Sequence, residues 1–174
     1  MLKLYTLLCF ITLGIANAQP PELKLQPNGF DQVDITIPAT KNDKLVALTR
    51  SWVAELEHRG PDQGKGYDIT NVTDNSITVS GYKKNGFYFR DRGEQFMHKI
   101  RYTMKITFYE SHYTVDFKVM QIFTDNDVPV KYSIPDYFLP DGKLKDGYTE
   151  LDSSLENTVN NLILSHYNFI LNFR

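Results

Sequence analysis

The chain has 174 residues, of which 13% are aromatic and 23% charged, and its formal net charge is −2. So even a balance offers no electrostatic footprint for a polyanion, and nucleic acid is not an expected partner. The one cysteine, Cys9, lies near the start, so disulfides and thiolate chemistry are excluded from the rest of the chain.

The opening, MLKLYTLLCFITLGIANAQ, sets Lys3 before an apolar run from Leu4 to Ile15 that ends in Ala16-Asn17-Ala18. That is the layout of a secretory signal peptide over residues 1–18, with cleavage expected after Ala18. The run is shorter than the ~20 residues a spanning helix requires, so no transmembrane segment is expected to remain. Cys9 has no small residues just before it, which argues against lipid attachment. With Lys3 gone, 18 Lys and Arg oppose 21 Asp and Glu, a net charge of −3. A mature chain of about 156 residues buries roughly 70% of its unfolded surface, enough for a single core. The expectation is a monomer exported to the periplasm, the cell surface or the medium.

Residues 19–29, QPPELKLQPNG, carry three prolines and predict an irregular segment. A single domain is expected over 30–174. In "FDQVDITIP", Phe30, Val33, Ile35 and Ile37 nearly alternate, which predicts a first strand closed by Pro38. Thr40 is the expected N-cap of a helix from Lys41 to His58, where Leu45, Leu48, Trp52 and Leu56 recur at helical spacing. Gly60 and Pro61 supply its stop. "YDITNV" and "SITVSGY" predict a hairpin around Thr73-Asp74-Asn75. In "KKNGFYFRDRGEQF", residues 83–96, Phe87 and Phe89 share one face and Tyr88 and Arg90 the other, as in a half-buried strand. Gly81, Gly86 and Gly93 fit turns or bulges there.

Along 98–108 the even positions, His98, Ile100, Tyr102, Met104, Ile106 and Phe108, form a core face, and the odd positions are polar. Beyond Glu110-Ser111 the register inverts, with Tyr113, Val115, Phe117 and Val119 inward and Thr114, Asp116 and Lys118 outward. Pairing Phe108 with Tyr113 sets Lys105 opposite Asp116 and Thr107 opposite Thr114, each pair favourable by ~0.2–1 kcal/mol. Residues 124–148, with Pro129, Pro135 and Pro140, predict a long loop, a feature that is uncommon unless functional or mobile. Ser153-x-x-Glu156 has the form of a capping box. Leu155, Val159, Leu162, Ile163, His166 and Ile170 then trace a buried helical stripe, with Asn157, Asn160, Asn161, Asn168 and Asn172 opposite. The predicted class is α+β: strand, helix, four antiparallel strands, helix, with both helices packed on one face of the sheet.

The leader, the strand and Trp-bearing helix, "DITNVTDNSITVSGY" and "IRYTMKITFYESHYTVDFKVMQIF" together resemble the bacterial domain of unknown function family 4468, over roughly residues 30–125. The resemblance implies a TATA-box-binding-protein-like (TBP-like) fold and brings no catalytic residues with it. The Glu110-Ser111 turn lacks the glycine of the family's turn.

Nucleophile motifs are missing, with no G-x-S-x-G elbow and no S-x-x-K. His58, His98, His112 and His166 are scattered without ligand spacing, so no metal or other cofactor is expected. Asp125-Asn126-Asp127 lacks the glycine and glutamate of a calcium loop and is expected to be a solvated turn. Asn71-Val72-Thr73 is a formal glycosylation sequon, which carries little weight if the source is bacterial. Two binding surfaces are candidates. One is the outer sheet face with Lys99, Arg101, Lys105, Lys118 and Met120. The other is the loop "VKYSIPDYFLP", where Tyr132, Tyr137 and Phe138 either fold back over the core or form an exposed patch. The expected role is a non-catalytic binding module with an unidentified envelope protein as partner. A carrier of a small amphipathic ligand between sheet and loop is the alternative, and a hydrolase is a third.

Overall fold

The computed structural model describes residues 19–59 and 66–174. The leader and the Gly60-Pro61 stop signal lie outside the described residues. The strands are β1 (Leu25–Gln26), β2 (Gly29–Phe30), β3 (Val33–Thr36), β4 (Asp68–Thr70), β5 (Ser76–Asp91), β6 (Glu94–Phe108) and β7 (His112–Thr124). The helices are α1 (Asn42–Arg59) and α2 (Leu151–Phe173). β1 and β2 form a small hairpin, and the other five form one antiparallel sheet in the order β3, β7, β6, β5, β4.

The strict alternation of β6 makes it the central strand. Ile100, Tyr102, Met104, Ile106 and Phe108 are each at most 1% exposed, so one face of this strand is core from Ile100 to Phe108. Phe108 opposes Tyr113, Lys105 opposes Asp116 and Thr107 opposes Thr114, the register the two alternations require. Two inward and outward assignments change on β7. Thr114, expected outside, is buried because Asp34 of β3 and Thr107 of β6 flank its small side chain. Val119, expected inside, is only half-buried. Arg101 opposes Gln121 while Tyr102 opposes Val119, so Met120 is an extra residue on β7, a bulge that switches the alternation and returns Ile122 to the core.

β5 joins "SITVSGY" to the basic-aromatic stretch in one strand, irregular between Lys83 and Phe87. Gly86 lies in that irregularity, where a Cβ would come within 2.8 Å of the Ile100 side chain. β4 covers only Thr78 to Ser80 of β5's outer edge. Further along, Tyr88 donates its N–H to Ser154 Oγ (3.1 Å), whose hydroxyl donates to Tyr88 O (2.6 Å). Next to it Arg90 N–H donates to Thr149 O at 2.9 Å. The start of α2 thus closes an edge that would otherwise be open to a foreign strand.

Both helices pack on the inner face of the sheet. α1 buries Leu45, Thr49, Trp52 and Val53. Thr40 is not its cap: the hydroxyl donates to Pro38 O at 2.9 Å, while its N–H reaches Glu110 O at 3.2 Å and ties the approach to α1 to the β6–β7 turn. α2 buries Leu151, Leu155, Val159, Ile163, His166, Tyr167 and Ile170, with Leu162 on the margin. The Ser153–Glu156 capping box does not form, because α2 begins one turn earlier, at Glu150 with φ 67°. Ser153 Oγ donates back to Glu150 O, and Glu156 is taken by the N-terminal segment. That segment is less irregular than its prolines suggest. Residues 19–26 lie along α2, and Pro27-Asn28 turns them into the β1–β2 hairpin with Gly29 at φ +106°.

Candidate functional site

Residues 124–148 are organised around a 3-10 helix, Ile134–Tyr137. Asp136 accepts from Ser133 N–H (2.7 Å) and Ser133 Oγ (2.8 Å), and those hydrogen bonds, more than nearby Lys145, hold its carboxyl below the usual carboxylate range. Lys145 N–H closes the loop onto Tyr137 O at 2.9 Å. Tyr137 is 2% exposed and Phe138 9%, so the structure places both in the core. Tyr137 packs edge-on to Phe87 and Tyr148, and Tyr148 edge-on to Phe89. His98 stacks on Phe87 at 5.0 Å and on Phe89 at 5.1 Å, and burial lowers its pKa. The loop is therefore the lid of the inner face beyond the reach of α2. Of the aromatic and aliphatic residues crowded in "VKYSIPDYFLP", Ile134, Tyr137 and Phe138 are buried, while Tyr132, 59% exposed, and Leu139, 43%, stay on the surface.

On the outer face Lys99, Arg101 and Lys118 each have a polar partner. Lys99 donates to Asp127 at 3.0 Å, and Tyr82 O–H donates to the same carboxylate oxygen. The Asp125–Asp127 turn is thereby pinned to the sheet, with the Asp127 carboxylate engaged by a lysine and a phenol. Arg101 donates to Gln121 at 2.9 Å, and Lys118 pairs with Asp116 at 3.0 Å. Lys105 is exposed opposite Asp116. Exposed pairs of this kind contribute ~0–1 kcal/mol each, so the face is mostly a solvated, self-neutralised sheet surface.

One place departs from that pattern. β3 pairs only with His112 to Val115, so among the described residues no strand is hydrogen-bonded to the outer edge of β7 from Asp116 until Val130 N–H reaches Ile122 O at 2.9 Å; β2 stands beside this stretch without pairing to it. A slot of about 260 Å³ runs along this edge. Its walls are Phe117–Met120 on β7, the Asn28–Phe30 turn and Ser133–Pro135 at the start of the 3-10 helix. The Phe30 ring stands edge-on to Phe117 at 5.8 Å. Met120, at 58% exposure, Lys118 and Ile134 line the slot, whose walls are mostly apolar atoms, and exposed Tyr132 directly precedes its Ser133–Pro135 wall. Residues from both sequence candidates thus converge here. The Met120 bulge and the Asn28–Phe30 wall were not legible, since neither leaves a local pattern.

The histidines form no reactive cluster. His166 is fully buried between α1, α2 and the sheet. Thr49 Oγ1 donates to Leu45 O at 2.9 Å, so the 2.9 Å contact with His166 requires Nε2–H to donate to Thr49. Nδ1 then accepts from Tyr113 O–H at 3.3 Å. This relay has every proton assigned and no opening to solvent. Burial pushes the His166 pKa down to about 3. His112 faces one carboxylate, Asp34 at 3.6 Å, and stacks on Tyr109. Among the described residues no group of three His, Cys, Asp or Glu is placed to hold a metal ion.

Sequence comparison finds no matching family model and no matching curated protein. Solved structures do match. A TBP-like protein from Parabacteroides distasonis ATCC 8503 superposes with a TM-score of 0.57 at 17% identity, covering 83% of this chain and 93% of its own. A DUF4468 family protein from Bacteroides ovatus ATCC 8483 gives a TM-score of 0.52 at 11% identity, covering 88% and 89%. At such identities the likeness establishes the fold, a TBP-like α+β domain, in agreement with the resemblance read from the strand and helix order.

Proposed function

We propose that this chain is an exported, non-catalytic binding domain of the bacterial envelope, and that the slot along β7 is its binding surface. The observation that carries the reading is the convergence of Met120 and Lys118 of the sheet with Ile134 of the loop on an apolar cleft beside a strand edge with no ladder partner, on a face whose other polar groups mostly bond to one another. An exposed, apolar, partly enclosed feature with a polar rim is what interaction sites present. Unpaired backbone along the edge suits an extended segment of a partner protein.

The leader MLKLYTLLCFITLGIANA supports export, and among the described residues no helix is long and apolar enough to cross a membrane. The buried, proton-saturated His166 relay and the single carboxylate at His112 speak against hydrolysis. A carrier is disfavoured by the rings of Tyr137 and Phe138, which fill the space between sheet and loop where a ligand would sit.

The test is site-specific photo-crosslinking in the native host from position 132 and from position 105 on the plain sheet face. A discrete adduct is expected from 132 alone, and Met120→Asp should abolish it. Adducts of equal strength from both positions, or adducts indifferent to Met120→Asp, would sink the assignment. Amino-terminal sequencing of the protein recovered from the envelope tests export, with a start at Gln19 expected.

A further inference from the structure

Residues 19–26 lie in a second groove, along α2, and the way they are held is specific. Asn160 on α2 accepts Leu23 N–H at its Oδ1 (2.8 Å) and donates from Nδ2 to Leu23 O (3.1 Å). Glu156, one turn before it, accepts Leu25 N–H at Oε1 (2.8 Å) and the Lys24 ammonium at Oε2 (3.1 Å). Four helical residues rise ~6.0 Å and two strand residues ~6.6 Å, so the i, i+4 spacing on α2 matches alternate residues of an extended chain. By the same register the next rung would join Leu164 to Pro21. Both line the adjoining cleft of about 350 Å³, and proline has no N–H to offer, so the ladder ends where its chemistry does. Leu23 and Leu25 are 4% and 7% exposed, which anchors the arm on either side of the lysine.

We propose that Glu156 and Asn160 form a clamp for an extended Leu-Lys-Leu segment, and that the clamp accepts this segment from a second copy of the chain as well as from its own, giving an arm-exchanged dimer. Three of the four bonds recognise main-chain atoms, and the fourth is to the lysine the second copy also carries, so each is made equally well in trans. The hinge is built for release. Only two residue pairs hold β1 to β2, about a turn of Pro27-Asn28, and an extended segment from 19 to 28 reaches on the order of 33 Å. Exchange of an identical element is a low-cost route to dimers. A tethered arm competes at an effective concentration of about a millimolar, so the intact chain dimerises only when concentrated. Opening at Pro27-Asn28 leaves Phe30 on Phe117 in the wall of the β7 slot, so the proposal does not depend on what that slot binds.

Complementation removes that competition. In one full-chain variant, Leu23→Ser with Leu25→Ser, the arm is disabled and the clamp is intact. In the other, Glu156→Ala with Asn160→Ala, the clamp is disabled and the arm is intact. Sedimentation is expected to show a monomer for each alone at concentrations well below millimolar, and a one-to-one dimer for the mixture. A synthetic peptide, QPPELKLQP, should bind the first variant and dissolve that dimer. If the double serine variant fails to fold by circular dichroism, Leu25→Ala replaces it. A mixture that stays monomeric while both variants are folded would falsify the exchange, even if the free peptide binds. A dimer that survives Glu156→Ala and Asn160→Ala in both partners would remove the clamp from the account.

Discussion

His166 shows how one buried side chain couples the helices to the sheet. Its ring lies edge-on to Trp52 at 4.9 Å and to Tyr113 at 5.2 Å, and its two nitrogens are committed to Thr49 and Tyr113. None of these neighbours carries charge, so a proton added at Nδ1 would break the Tyr113 bond and leave a buried cation unpaired. The folded pKa, about 3, lies below the ordinary 6.5. The stabilisation is therefore complete above pH 6.5 and declines as pH falls toward 3, by up to about 1.4 kcal/mol per pH unit. Urea unfolding of the wild type and of His166→Gln from pH 7 to 4 checks this: the stability difference should shrink as pH falls, and a constant difference would show that the ring ionises without consequence. Gly81 is a second residue with a steric role, since a Cβ there would fall 2.5 Å from the Tyr102 ring. Gly81→Ala should cost about 1–3 kcal/mol, as overpacking of a filled core does.

Among elements, the β6–β7 ribbon was legible because its alternation is strict over many residues, and a one-residue slip would turn every buried side chain to water. The helix starts were not. Thr40 and Ser153 have the right chemistry for capping, yet their hydroxyls satisfy nearby carbonyls, Pro38 O and Glu150 O, and the helices begin where the sheet lets them. The 124–148 loop was legible as long and proline-rich, but its role depends on the Phe87–His98 stack it covers, a contact distant in sequence. That role sets a contrast between neighbours. Tyr137→Ala removes a ring packed on Phe87 and Tyr148 and should cost about 3–5 kcal/mol, whereas Tyr132→Ala should change stability by less than about 0.5 kcal/mol. Equal unfolding midpoints for the two variants would contradict the lid.

At the scale of the whole molecule, the parts differ in how firmly they are held. The five-stranded sheet is sealed on its inner face by α1, α2 and the lid, and β5's far edge is sealed by the start of α2. The arm, by contrast, rests on α2 through two leucines and a few hydrogen bonds, so it has little apolar burial to lose on opening compared with the central strands. The sequence marked Asn160 only as part of a polar helix side, since nothing in a local pattern says that its amide reads a backbone far away in the chain. Local opening free energies follow such differences in burial. Native-state hydrogen exchange should therefore show the amides of Leu23 and Leu25 exchanging through a small opening well before those of Ile100 to Phe108, which wait for global unfolding. Asn160→Ala should speed exchange at Leu23 while leaving the β6 amides within a factor of a few. Equal slowing at arm and sheet would mean that the arm is part of the cooperative core, and that no copy could exchange it without first unfolding.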